Sequence, residues 1–195
     1  MTRGLHALPL ALAAALLAGA VPARAQDRPA NLQPTRDVAV TYRVSGGEQG
    51  EMRIAYSAAA QALRTDFSGF GPPGAVIADI GGRRMILLIE AERTAMIQPM
   101  GEAELRSVRE PDPGTRFTRL RSERVAGTAC TLWRVDPPPE VARAGAQPVT
   151  TCLTEDGVML RSEEAGMHAE ATQVAYAAQD PARFRVPNGW RTRQQ

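Results

Sequence analysis

The chain has 195 residues, 44% hydrophobic, 23% charged and only 5% aromatic, with a formal net charge of +2. Every basic residue is Arg, and the excess charge lies in Arg3 and Arg24; without these two, basic and acidic side chains balance. That even pattern leaves no electrostatic footprint for nucleic acid or an anionic membrane surface, and the length suits one domain with a substantial core.

Residues 1–25 read as an export signal. Arg3 supplies the positive start, Leu8 to Ala20 is an apolar run too short to span a bilayer, and Ala23-Arg24-Ala25 predicts cleavage after Ala25. No cysteine follows the run, so no lipid attachment and no stable membrane anchor are expected. In a bacterium such a product is periplasmic. Residues 26–36, with Pro29, Asn31 and Pro34, lack periodicity and predict a flexible lead-in.

A single domain is expected over 37–190, and it opens on strict alternation. Val38, Val40, Tyr42 and Val44 share one face of a half-buried strand. Gly46-Gly47 turns the chain into a second strand carrying Met52, Ile54 and Tyr56, and a third carries Leu63, Thr65 and Phe67. Residues 67–74 form a Gly- and Pro-rich loop that contains Phe70. Strands at 76–80 and 84–89 flank Gly81-Gly82, a dipeptide suited to a tight hairpin, and 94–100 completes the meander. Met85-Ile86-Leu87-Leu88-Ile89 is apolar on both faces and should be covered on both sides.

The segment Gly101 to Arg109 predicts a short helix, with Leu105 and Val108 on one face and Glu102 and Glu104 in its first turn. Alternation resumes at 116–125. Two further strands carry Cys130 and Cys152, separated by Pro137-Pro138-Pro139 and a short stretch from Glu140 to Ala146. Glu155-Asp156-Gly157 predicts a hairpin turn of type I′, followed by strands at 158–164 and 167–178. The charged tail 191–195 is expected to fray. The count is ten to eleven antiparallel strands, a mainly β fold.

Little in this chain points to catalysis. Glu163 and Glu164 are consecutive on a strand and point to opposite faces, so they cannot flank one substrate bond; Glu155 and Asp156 belong to a solvated turn. His168 has Glu170 two positions away on the same strand face, but no Gly-x-Ser-x-Gly elbow supplies a nucleophile. No catalytic residue, cofactor or metal site is expected. Cys130 and Cys152 are the only thiols, and in an oxidising compartment they predict one structural disulfide; a redox pair would need Cys-x-x-Cys spacing, and a metal more soft ligands.

Phe67 and Phe70 on a Gly-rich loop, with Met85, Met96, Met100 and Leu105 around the predicted helix, form a candidate apolar pocket. The stretches Gly127, Cys130 and Trp133, then Thr151 to Arg161, then Phe184 to Trp190 resemble an uncharacterised bacterial periplasmic family of the LolA/LolB-like superfamily of lipoprotein carriers. The resemblance covers about the C-terminal third. It implies an antiparallel sheet rolled into an incomplete barrel, with one or two short helices covering the open side. Two functions follow as expectations: binding of a lipid, acyl chain or other apolar ligand, or docking of another envelope protein by a module with a packed interior.

Overall fold

The computed structural model describes residues 28–47, 49–70 and 74–194; the expected export signal lies outside them. Period-two patterning builds the first half. β1 (Val38–Ser45), β2 (Gly50–Ser57), β3 (Ala62–Ser68), β4 (Gly74–Asp79), β5 (Arg84–Ile89) and β6 (Thr94–Pro99) pair in sequence as an antiparallel meander. Their registers run from β1 to β6 without a slip.

After the helix α1 (Glu102–Arg109) come β7 (Arg116–Val125), β8 (Thr128–Asp136), the helix α2 (Pro139–Arg143), β9 (Val149–Leu153), β10 (Met159–Glu164) and β11 (Met167–Ala175). β11 pairs with β1 and joins the two meanders into one sheet. The last strand, β12 (Arg191–Gln194), adds in parallel beside β6, so the order is β12-β6-β5-β4-β3-β2-β1-β11-β10-β9-β8-β7. The sheet is open, with β12 and β7 at its edges.

The curl is uneven. Three register shifts, at Thr41/Tyr42, Met159/Arg161 and Arg119/Arg121, all fall at pairings of the half from β1 through β11 to β7. Bulges bend and twist a sheet, so this half rolls tightly enough for β7 to return against β11. Its inner face buries Val38, Val40 and Tyr42 against Val125, Cys130, Leu132, Cys152, Val158 and Leu160. The half from β2 to β6 has no bulge and stays open.

On the outer face of that open half, Ala55, Ala62, Ala75, Ile77, Ile86, Leu88 and Ala95 pack beneath Phe184, with Val186 and Trp190 alongside. Small residues on the strands let this C-terminal segment lie close. A single 3-10 turn at Pro181–Phe184 presents Phe184, and the Asp180 side chain caps it by accepting the Ala182 N–H.

Several expectations need correction. The tail 191–194 does not fray; its backbone pairs with β6. The lead-in, described from Arg28 onward, makes hydrogen bonds to the end of α1 and to the β9–β10 turn. The Asp156-Gly157 turn has positive φ only at Gly157, and Thr154 and Val158 close it, giving a three-residue loop instead of type I′. At Gly81-Gly82 neither glycine takes positive φ; Arg83 does, and the loop from Asp79 to Arg84 is wider than a two-residue turn. Finally, β5 is covered on its outer face, whereas Leu87 on the inner face is 41% exposed.

Candidate functional site

Paired residues on neighbouring strands point to the same side of a sheet, so unbroken registers trace rows of side chains across it. One row begins at Val40 and passes through Ile54, Thr65, Val76, Leu87 and Met96 to Arg193. A second runs from Tyr42 through Met52, Phe67, Gly74, Ile89 and Thr94 to Arg191 by the same pairings. A third runs from Val38 through Tyr56, Leu63, Ala78 and Met85 to Gln98. All three lie on the face that forms the packed core at β1.

Burial falls along the first row, from 3% exposure at Val40 to 41% at Leu87. Leu63, Phe67, Val76, Ile89 and Met96 are half-buried. At a strand spacing of about 4.8 Å, the floor from β2 to β6 is about 19 Å wide. It is the continuation of the core into a part of the sheet where Leu87 stays exposed among the described residues.

One end of this floor has a cover. Leu105 of α1 packs with Ile80 and Met100, and Met85 and Val108 lean on them. Arg83 and Glu102 pair at the start of the helix. From the C-terminal end of α1, the lead-in forms a strap to the β9–β10 turn. Gln33 Nε2 donates to the Val108 carbonyl at 2.8 Å, Asn31 Nδ2 to the Glu155 carbonyl at 2.9 Å, and the Thr35 N–H to the Asp156 carbonyl at 3.0 Å. The fit is close: a Cβ on Gly157 would lie 2.1 Å from the Gln33 carbonyl oxygen.

The strap is also anchored by charge. Arg36 donates to the Asp156 carboxylate at 2.7 Å, with its guanidinium carbon 3.8 Å from the centre of the Tyr176 ring. Burial alone would raise the Asp156 pKa, but hydrogen bonds from Thr154 and Arg36 outweigh it and hold the carboxyl below its ordinary value. A cleft of about 480 Å³ lies under the strap, lined by residues that include Leu32, Tyr56, Arg109 and Pro111. Another of about 440 Å³ is lined by Pro29, Trp133 and Leu153 among others.

The six residues named as an apolar pocket divide between floor and cover. Met85, Met100 and Leu105 meet in the cluster at α1. Phe67 and Phe70 form an edge-to-face pair at 5.5 Å between ring centres, and Met96 sits beside Leu87 in the first row. Phe67 and Leu105 line different clefts, of about 590 and 340 Å³. Sequence reasoning passed over Leu63, Val76, Leu87 and Ile89, which carrying the Val38 face through each successive hairpin would have found.

Cys130 and Cys152 are disulfide-bonded within the core, with Cα atoms 5.5 Å apart. Such a bond fits an oxidising, extracytoplasmic compartment. His168 is held between carboxylates: Nδ1 lies 3.3 Å from Glu163 and Nε2 3.5 Å from Glu170. Glu170 also accepts from Arg161 at 2.8 Å, and Arg161 reaches Glu123 of β7 at 2.6 Å. This chain of charges braces the closed half, since it ties β7 to β10 and β11.

No protein-family model matches the chain, and no curated protein sequence does. Solved structures do match. An uncharacterized conserved protein from Thermus thermophilus aligns with TM-score 0.60 and 12% identity over 83% of this chain and 91% of that one. MucB aligns with TM-score 0.55 and 17% identity over 82% of this chain and 60% of MucB. The complex of Pseudomonas aeruginosa MucA and MucB gives TM-score 0.52 and 19% identity over 81% of this chain and 57% of that one. The chain therefore spans somewhat less than two thirds of the MucB chains. At these identities the likeness is one of fold alone, an open, curled β-sheet with few helices.

Proposed function

We propose that this chain is an exported, non-enzymatic binding protein that holds an acyl chain or another apolar ligand on the open inner face of β3 to β6. The observation that carries this reading is the row Ile54, Thr65, Val76, Leu87 and Met96, which extends the core and leaves Leu87 41% exposed. Burying apolar area of this kind is favourable by about 25 cal/mol per Å², so the row offers a ligand contact at every strand. Phe67, Met85 and Met96 belong to the floor, Phe70 to its rim, and Met100 and Leu105 to the cover. The predicted signal and the disulfide support a periplasmic location.

Native mass spectrometry of protein purified from the exported fraction, paired with uptake of a fluorescent fatty acid, tests this. A retained small ligand or saturable uptake that Leu87→Asn abolishes is expected. An apo mass with no uptake would sink it.

A second reading has its own observation. The core around Tyr42 is filled, and MucB, whose fold is similar, is found in complex with MucA. On this reading the same open face docks an envelope protein. A stoichiometric protein complex formed by a chain that takes up no fatty acid would favour it.

A further inference from the structure

We infer that Arg193, with Arg191 beside it, makes the open inner face selective for an anionic amphiphile, an acyl chain that ends in a carboxylate head. This inference rests on the reading that the face holds an apolar chain, and it adds which head group that chain carries.

β12 pairs in parallel with β6, placing Arg193 opposite Met96 and Arg191 opposite Thr94. Both arginines thus lie on the side of the sheet that carries the apolar rows, at the edge where two of those rows end. Both are exposed. Arg191 donates one guanidinium nitrogen to the Glu92 carbonyl at 3.1 Å and keeps its remaining N–H groups. The Arg193 side chain has no hydrogen-bond or ion-pair partner among the described residues.

The geometry sets the occupant. A floor about 19 Å wide accommodates an extended chain of about fifteen methylenes laid along a row. Such a chain would run from Ile54 past Leu87 to Met96 and leave its head group at Arg193. A planar guanidinium matches a carboxylate with two parallel hydrogen bonds, which a neutral glycerol head cannot offer in charge-assisted form. A partner protein docked on this floor would have no reason to meet unpaired cations at the end of each of two apolar rows.

The test compares two probes with the same acyl chain, palmitate and monopalmitoylglycerol, by displacement of a bound fluorescent probe from the full chain at low salt. The expected result is about a fivefold preference for palmitate, the scale of one or two exposed ion pairs, shrinking as salt is added. In Arg191→Gln/Arg193→Gln the preference should disappear while monopalmitoylglycerol binding is unchanged; Arg193→Gln alone should remove most of it. Equal affinities in the wild type, or a preference that survives in the double variant, would overturn the inference while leaving apolar binding intact. If neither probe binds the wild type, the apolar-ligand reading falls with it.

Discussion

The Tyr42 hydroxyl donates to the Met159 carbonyl at 2.6 Å, which ties β1 to β10, the next strand but one in the sheet, on the inside of the curl. Tyr42 is 2% exposed, so water cannot replace that bond. Tyr42→Phe keeps the ring and removes the donor, leaving the carbonyl without its phenol partner. The expected loss is about 1–2 kcal/mol, read as a lower urea midpoint with unchanged slope.

The same hydroxyl predicts behaviour at high pH. Burial raises the Tyr42 pKa well above the ordinary value of 10.0, with a smaller contribution from Tyr176. The folded chain then holds this proton more tightly than the unfolded one. Its contribution is intact below pH 10 and is lost as pH rises above 10, until the folded-state group itself ionises. Tyr42→Phe should therefore flatten the alkaline limb of a stability–pH curve. Tyr56 and Tyr176 shift in the same direction, so some slope remains.

At the acid end the informative group is Asp156. Its pKa lies below the ordinary 3.8 because hydrogen bonds from Thr154 and Arg36 outweigh burial, which acts in the opposite sense. A lowered folded-state value stabilises the protein above the unfolded pKa and loses that contribution as pH falls through the folded one. Asp156→Asn should be less stable than the parent at pH 7, and the gap should close as pH falls through the lowered folded-state value. A gap independent of pH would show that the amide perturbs packing instead.

Gly157 fixes the strap. Its φ is +83° and an added Cβ would strike the Gln33 carbonyl, so Gly157→Ala combines backbone strain with displacement of residues 31–35. Limited proteolysis should cut the variant within the strap faster than the parent. Loss of about 1–3 kcal/mol is expected from a side chain forced into this conformation. Equal cleavage rates would mean that the strap is held elsewhere.

The disulfide closes a separation of 22 residues, and in the chain-entropy model such a loop contributes about 3 kcal/mol. Cys130→Ala/Cys152→Ala should lower the urea midpoint accordingly, and reductant should affect the parent but not the variant.

Most of the strands from β1 to β11 were legible through alternation bounded by turn residues, and β5 through a short apolar run after Gly81-Gly82. What composition hid was adjacency. Arg191-Thr-Arg-Gln has no apolar pattern, since an edge strand exposed along its length needs none, and only its pairing with β6 reveals it as a strand. The strap was hidden for a related reason: Asn31, Gln33 and Thr35 work through hydrogen bonds to carbonyls far away in sequence. Met85–Ile89 predicted cover on both faces and has it on one, because Ile86 and Leu88 meet Phe184's layer while Leu87 stays 41% exposed. Of what the resemblance implied, the open, curled sheet with few helices is what the fold displays.

Phe184 seals a surface made by strands laid down some ninety to one hundred and thirty positions earlier in the chain. A polypeptide emerging N-terminus first would therefore complete β2 to β6 while Ala55, Ile77, Ile86 and Leu88 still faced water, and would keep that surface sticky until Phe184, Val186 and Trp190 arrived. Folding of the first half cannot finish before this later segment is made. A nascent or truncated form ending before Pro181 would present one apolar sheet face on each side, the condition under which chaperone capture competes with aggregation.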